Sequence, residues 1–216
     1  MKKTSLMFLI ATFVICNLSF AQEQKEGEIR TLFGNNDKIS HGGYGALLIN
    51  YSQFEDKDVI LVGGRGGWII NHGIAIGLGG YGFANQIAYD DLQIGGQTYD
   101  DYFLSGGYGG LLIEPILFPH QPVHVALPIL IGGGGAAYVN NGWYDYQGDD
   151  WDYYTIDSSP FFVVEPGIEI EFNMVKFMRI GLGAYYRYTS GLNLVKTDEH
   201  VLDGFSTGLS LKFGKF

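Results

Sequence analysis

The chain is poor in three things: cysteine, long apolar runs and positive charge. Its one cysteine is Cys16, close to the amino terminus, so no disulfide framework supports the fold and stability must come from elsewhere. Beyond residue 21 no stretch stays apolar for the roughly 20 residues that a spanning helix needs, which excludes a helical membrane domain. Lysine and arginine number 13 against 23 acids, a net charge of −10. Such a surface repels phosphate and excludes a nucleic-acid partner.

The first 21 residues have a different character. Lys2 and Lys3 precede an apolar core from Leu6 to Ile15, and Ser19-Phe20-Ala21 forms a small-x-small cleavage site. This is the pattern of a secretory signal peptide cut before Gln22. A retained anchor would be short for a span, and a lipoprotein signal would need a small residue where Ile15 precedes Cys16. The expected organisation is a signal peptide over 1–21, a periplasmic tail over 22–37 and one domain over 38–216.

What the chain has in quantity is glycine, 33 of 216 residues, beside 15 tyrosines and 15 phenylalanines. The glycines fall within alternating apolar segments, which disordered chains lack, and so read as structural. Eight segments alternate or are enriched in β-branched and aromatic residues: 40–53, 58–70, 73–84, 101–114, 122–134, 160–172, 176–189 and 203–215. In the seventh, Met178, Ile180, Leu182, Ala184, Tyr186 and Tyr188 form one set, and Arg179, Gly181, Gly183, Tyr185 and Arg187 the other. The eighth divides Phe205, Leu209, Leu211 and Phe213 from Ser206, Gly208, Ser210 and Lys212. Pro128 and Pro166 fall inside predicted strands, where each removes a ladder hydrogen bond. Either bulges lie there or those strands start later.

The connections alternate in length. Short turns are expected at Asn71-His72, near Phe118-Pro119 and at Asn173-Met174. Longer connections fall near 54–57, 85–100, 135–159 and 190–202. The long ones and their edges hold 15 acids and only Lys57 and Lys196 as bases, about −13. The rest of the chain after residue 21 is near neutral, so one end of the fold is strongly acidic. Short turns at one end and long loops at the other describe an eight-stranded antiparallel up-and-down transmembrane β-barrel, an all-β fold.

VVEPGIEIEF, Val163 to Phe172, then becomes interpretable. Side chains alternate between faces of a strand, which puts Glu165, Glu169 and Glu171 on one side and Ile168, Ile170 and Phe172 on the other. An eight-stranded barrel is just wide enough inside to be filled by side chains. Its inward charges would be Glu165, Glu169, Glu171, Arg65, Arg179, Arg187 and Lys212, with Glu114 as a further candidate. Near-balance of sign is what pairing inside a crowded lumen demands. If Asn173-Met174 sets the register, Glu169 stands opposite Arg179. A soluble sandwich or lipocalin-like barrel would instead turn its apolar face inward.

The leader, the eight alternating segments, the short-turn and long-loop pattern and the C-terminal LKFGKF together resemble bacterial outer-membrane β-barrel proteins. In size the chain is similar to the small OmpA/OmpX-type barrels, and its Gly/Tyr-rich strands resemble uncharacterised members from the Bacteroidetes-type lineage. The resemblance implies insertion into the outer membrane, lipid contact and both termini in the periplasm. It carries over no catalytic residue. Phe216 supplies the terminal aromatic of a sorting signal, out of phase with the apolar set ending at Phe213.

Other motifs read blandly. GLGGYG, Gly77 to Gly82, matches a dinucleotide fingerprint in letters, but strand pattern follows where a helix is required. GGYGALLI (Gly42 to Ile49) and GGYGGLLI (Gly106 to Ile113) fall on the first and fourth strands, which run oppositely, so convergence is favoured over duplication. The histidines 41, 72, 120, 124 and 200 show neither zinc-motif spacing nor a catalytic triad. The loop Asn140 to Tyr154 combines Trp143, Tyr144, Tyr146, Trp151, Tyr153 and Tyr154 with Asp145, Asp149, Asp150 and Asp152. Aromatic faces beside acids suit contact with a sugar or protein, although a membrane-interface girdle on a solvated loop explains them too. The expectation is a monomeric outer-membrane barrel with a plugged polar lumen, a structural or surface-binding role, no cofactor or metal and no enzymatic activity. A small-solute porin is the alternative, and a lipid-modifying enzyme a more distant one.

Overall fold

The computed structural model describes residues 39–54, 57–84, 92–94, 97–99, 102–140 and 155–216. The signal-peptide and tail expectations, and the loop from Trp143 to Tyr154, lie outside these residues. Eleven strands are assigned: β1 (His41–Phe54), β2 (Lys57–Ile70), β3 (Ile74–Ala84), β4 (Leu92–Ile94), β5 (Gln97–Tyr99), β6 (Tyr102–Leu117), β7 (Val123–Ala126), β8 (Ile129–Asn140), β9 (Thr155–Val175), β10 (Met178–Thr189) and β11 (Gly204–Lys215). Among the described residues β4 and β5 pair only with each other, a small hairpin within the long connection expected near 85–100.

The remaining strands close a ring. Each pairs antiparallel with its chain neighbour, and β1 also pairs with β11, from Gly43 opposite Lys215 to Ser52 opposite Ser206. β7 and β8 together form one wall between β6 and β9, so the ring has eight walls. Closure leaves no open edge, which is the condition for a sheet to stand in hydrocarbon.

Neither proline sits at a bulge: Pro166 lies within β9, and at Pro128 the expected strand is broken, β7 ending at Ala126 and β8 starting later, at Ile129. Ala126 stands opposite Glu169 and Ile129 opposite Pro166, the same register on both sides of Pro128. Only the ladder is interrupted: Pro128 offers no N–H, yet its carbonyl still accepts from Gly167 N at 2.7 Å. The register shifts lie elsewhere, between Tyr138 and Val139 and between Met178 and Arg179. Several strands also run longer than their alternation suggests, β9 reaching Val175 and β8 reaching Asn140.

The two faces are chemically opposite. Outward lie Leu47, Ile49, Ile60, Val62, Leu78, Phe162, Ile168, Ile170, Leu182, Phe205 and Leu209, all exposed. Inward lie every one of the predicted lumen charges, buried, together with tyrosine, serine and glycine. This is the reverse of a soluble barrel, whose apolar face is internal.

Candidate functional site

The lumen is the candidate site, and its chemistry divides along the barrel axis. At the short-turn end the charges gather. Arg65 of β2 meets Glu169 of β9, Nη2 standing 2.5 Å from each carboxylate oxygen, and lies 3.4 Å from Glu114 of β6. Lys212 of β11 donates to Glu114 at 2.8 Å, lies 3.5 Å from Glu169 and also bonds Glu171. Glu171 further takes Arg179 at 3.4 Å and the His124 ring at 2.8 Å.

In ring order β2 faces β9 and β6 faces β11 across the barrel. The Arg65–Glu169 and Lys212–Glu114 pairs therefore span the lumen between opposite walls and cross one another. Glu114, Glu169 and Glu171 bring carboxylate oxygens within 4.8 Å, a spacing at which oxygen ligands can share a cation. Here the Lys212 ammonium is the cation among them.

Tyrosines complete the bonding. Tyr44 donates to Glu114 at 3.0 Å, and Tyr185 to Glu169. A Cβ at Gly167 or Gly183 would stand 2.3 or 2.4 Å from Tyr185 atoms, so these glycines leave the space its ring fills. That explains the glycine between the glutamates of VVEPGIEIEF. Near mid-barrel Tyr108 donates to Glu165 at 2.6 Å, and Arg187 donates to Tyr108 at 3.1 Å and Ser52 at 3.2 Å. Arg187 lies 3.7 Å from Glu165. A void lined by Arg65, Tyr81, Leu112, Leu130, Glu165 and Tyr185 offers about 10 Å³ to a water centre, room for about one water.

Toward the long-loop end the interior turns apolar. Phe54, Val59, Leu61, Phe83, Leu104, Phe161 and Val163 form one buried cluster. The connection 190–203 crosses this mouth and presses Leu192, Leu194, Val201 and Leu202 into it. Asp203 accepts from Thr189 N and Oγ1, both at 2.7 Å, Asp157 accepts from Val195 N at 3.0 Å, and Arg187 Nε donates to Leu202 O at 2.6 Å. Gly191 and Gly204, at φ 92° and 151°, bracket the segment in backbone conformations that favour glycine. At the opposite mouth Phe216 turns inward, with the Arg179 guanidinium 3.9 Å from its ring centre and Tyr44 at 6.3 Å. Its phase, set against Phe213, is that of an inward side chain.

Two expectations need correction. The turn joining β9 to β10 is at Lys176-Phe177, not Asn173-Met174, because the ladder continues to Val175 opposite Met178. Glu169 consequently stands opposite Gly183, and Arg179 opposite Asn173. The turn lies three residues later, but with the register shift between Met178 and Arg179 the partner of Glu169 moves by four residues, an even number, so every face is preserved while the partners change. His124 was missed as a lumen residue, although within the expected segment 122–134 it shares the inward parity of Ala126 and Leu130. The aromatic and acidic residues expected as a binding loop, Trp143 to Tyr154, lie outside the described residues.

No known protein-family model and no curated protein sequence matches the chain. Solved structures do. Neisserial surface protein A (NspA) aligns at 14% identity over 83% of this chain and all of its own, with a TM-score of 0.50. The N-terminal β-barrel domain of Pseudomonas aeruginosa OprF aligns at 11% identity over 82% of this chain and 99% of its own, with a TM-score of 0.45. With the closed ring and the outward apolar face, the likeness to NspA identifies the architecture: this chain has the all-β, antiparallel fold of the small, OmpA/OmpX-like eight-stranded outer-membrane barrels.

Proposed function

We propose that the protein resides in the outer membrane as a plugged barrel, not an open channel, and that its role is structural or surface-binding through the acidic and aromatic connections at one end. The observation that carries this reading is the filled interior. Four acids and four bases pair in the lumen, aliphatic side chains of 190–203 occupy one mouth and Phe216 the other. A hydrated solute would have to displace ion pairs that a low-dielectric interior makes costly to break. On this reading the protein is not an enzyme, and its partners are outer-membrane lipid and an extracellular ligand or protein met by Trp143, Tyr144, Asp145, Tyr146, Asp149, Asp150, Trp151, Asp152, Tyr153 and Tyr154.

Reconstitution into planar bilayers tests the first half. The expected record is flat, and stable single-channel steps would restore the porin alternative. Deleting residues 143–154 tests the second half. The heat-dependent gel shift of a closed barrel should survive the deletion while contact with whole-cell surface partners is lost. Loss of the shift would assign those residues to folding instead.

A further inference from the structure

The turn between β2 and β3 and the turn between β6 and β7 each carry one histidine, and neither residue belongs to the lumen. His72 and His120 are 48 positions apart, so no spacing rule reveals them as a pair. In the fold their ring centres lie 5.5 Å apart with planes inclined at 58°. Among the described residues neither ring makes a hydrogen bond or an ion pair, which leaves the ring nitrogens available.

The backbones that hold these rings are well tied. Asn71 and His72 both take left-handed conformations, at φ 50° and 56°, and Gly73 N donates back to Ile70 O at 3.1 Å. Ile116 N donates to Gly73 O at 2.8 Å, which fastens the first turn to the strand that leads into the second. There Phe118 is left-handed at φ 56° and accepts from Gln121 N at 3.0 Å. The two imidazoles are thus presented side by side at the short-turn rim by two anchored turns. His120 is exposed and His72 partly so.

The separation has a chemical meaning. An imidazole nitrogen stands about 2.0–2.1 Å from a bound zinc ion, and the ring centre lies ~1.1 Å further out. Two rings sharing one tetrahedral ion therefore have centres roughly 5–5.5 Å apart. We propose that His72 and His120 form a two-imidazole site for a divalent ion of the zinc, copper or nickel type. Imidazole suits these ions, whereas calcium and magnesium require oxygen ligands. Two protein ligands leave the other positions to water or to a donor from another molecule, so the ion binds exchangeably and not as a structural four-ligand centre. A bound ion would clip the two turns together across the end of β6. The site is independent of what the lumen or the long connections do.

The test is a calorimetric titration of Zn²⁺ into the untagged, folded protein in detergent at neutral pH. One saturable site per chain is expected. Affinity should fall at least about tenfold in His72→Ala and equally in His120→Ala, and stay unchanged in His200→Ala and His41→Ala. Binding should weaken in acid, where protons compete for the ring nitrogens, and Mg²⁺ should give no saturable heat. The heat-dependent gel shift of each variant verifies that the barrel has closed. Absence of a saturable site, its survival in both turn variants, or equal loss in the His200 or His41 control would each overturn the assignment.

Discussion

The two halves of the lumen share the same eight walls and solve the same packing problem by opposite means. At the short-turn end the space is filled by ion pairs whose members come from β2, β6, β9, β10 and β11. At the long-loop end it is filled by aliphatic and aromatic side chains, with the segment 190–203 as the last piece. The charged half is interdependent, because removing one member leaves another buried and uncompensated. The apolar half is forgiving, because each contact is non-directional and neighbours can relax.

Substitutions that separate these behaviours follow in order of effect. Lys212→Met should be the most damaging, at about 3–5 kcal/mol, since it strips the shared cation from Glu114, Glu169 and Glu171. Urea unfolding of the protein in lipid vesicles measures it. A loss below 1 kcal/mol would mean that the three carboxylates do not depend on Lys212. Leu78→Arg places a charge on the outward face of β3, where the wild-type leucine is 69% exposed. In a bilayer this should cost about 2–4 kcal/mol by the same measurement, and a neutral result would remove β3 from contact with hydrocarbon.

Leu202→Ala samples the apolar half. The side chain is fully buried, so the cost should be about 2–3 kcal/mol, with the gel shift retained. Asp203→Ala should be mildest, at about 1 kcal/mol, through loss of the two bonds to Thr189. Faster proteolysis at 190–203 without global unfolding is its expected signature, and unchanged cleavage would show that other bonds hold the segment.

The same contrast explains what could be read in the amino-acid sequence. Which face each residue takes was legible, because a period of two is local: Arg65, Glu165, Glu169, Glu171, Arg179, Arg187 and Lys212 all share the inward parity. Partners were not legible. The choice of Arg65 for Glu169 depends on ring closure, which joins residues 104 positions apart. Register failed between β9 and β10 for a related reason, since a partner can move by an even number of residues, here from Arg179 to Gly183, without disturbing either face. His124 has the inward parity, but its pairing with Glu171 on the neighbouring β9 followed only from the fold. Tyr185 shows the converse: Gly167 and Gly183 were visible as gaps in the pattern, but the ring that fills them follows only from the fold.

The crossed pairs have a mechanical consequence. A closed sheet resists being pulled apart at its seams, but a ring of walls can still be squeezed into an oval, as a hoop can. Arg65–Glu169 and Lys212–Glu114 act as two spokes set across different diameters, so shortening one diameter while lengthening the other strains at least one of them. On the proposed membrane reading, lateral pressure from the surrounding hydrocarbon meets a cross-section that stays round at the short-turn end, while the end filled mainly by apolar side chains lacks such ion-pair spokes among the described residues and is the softer of the two.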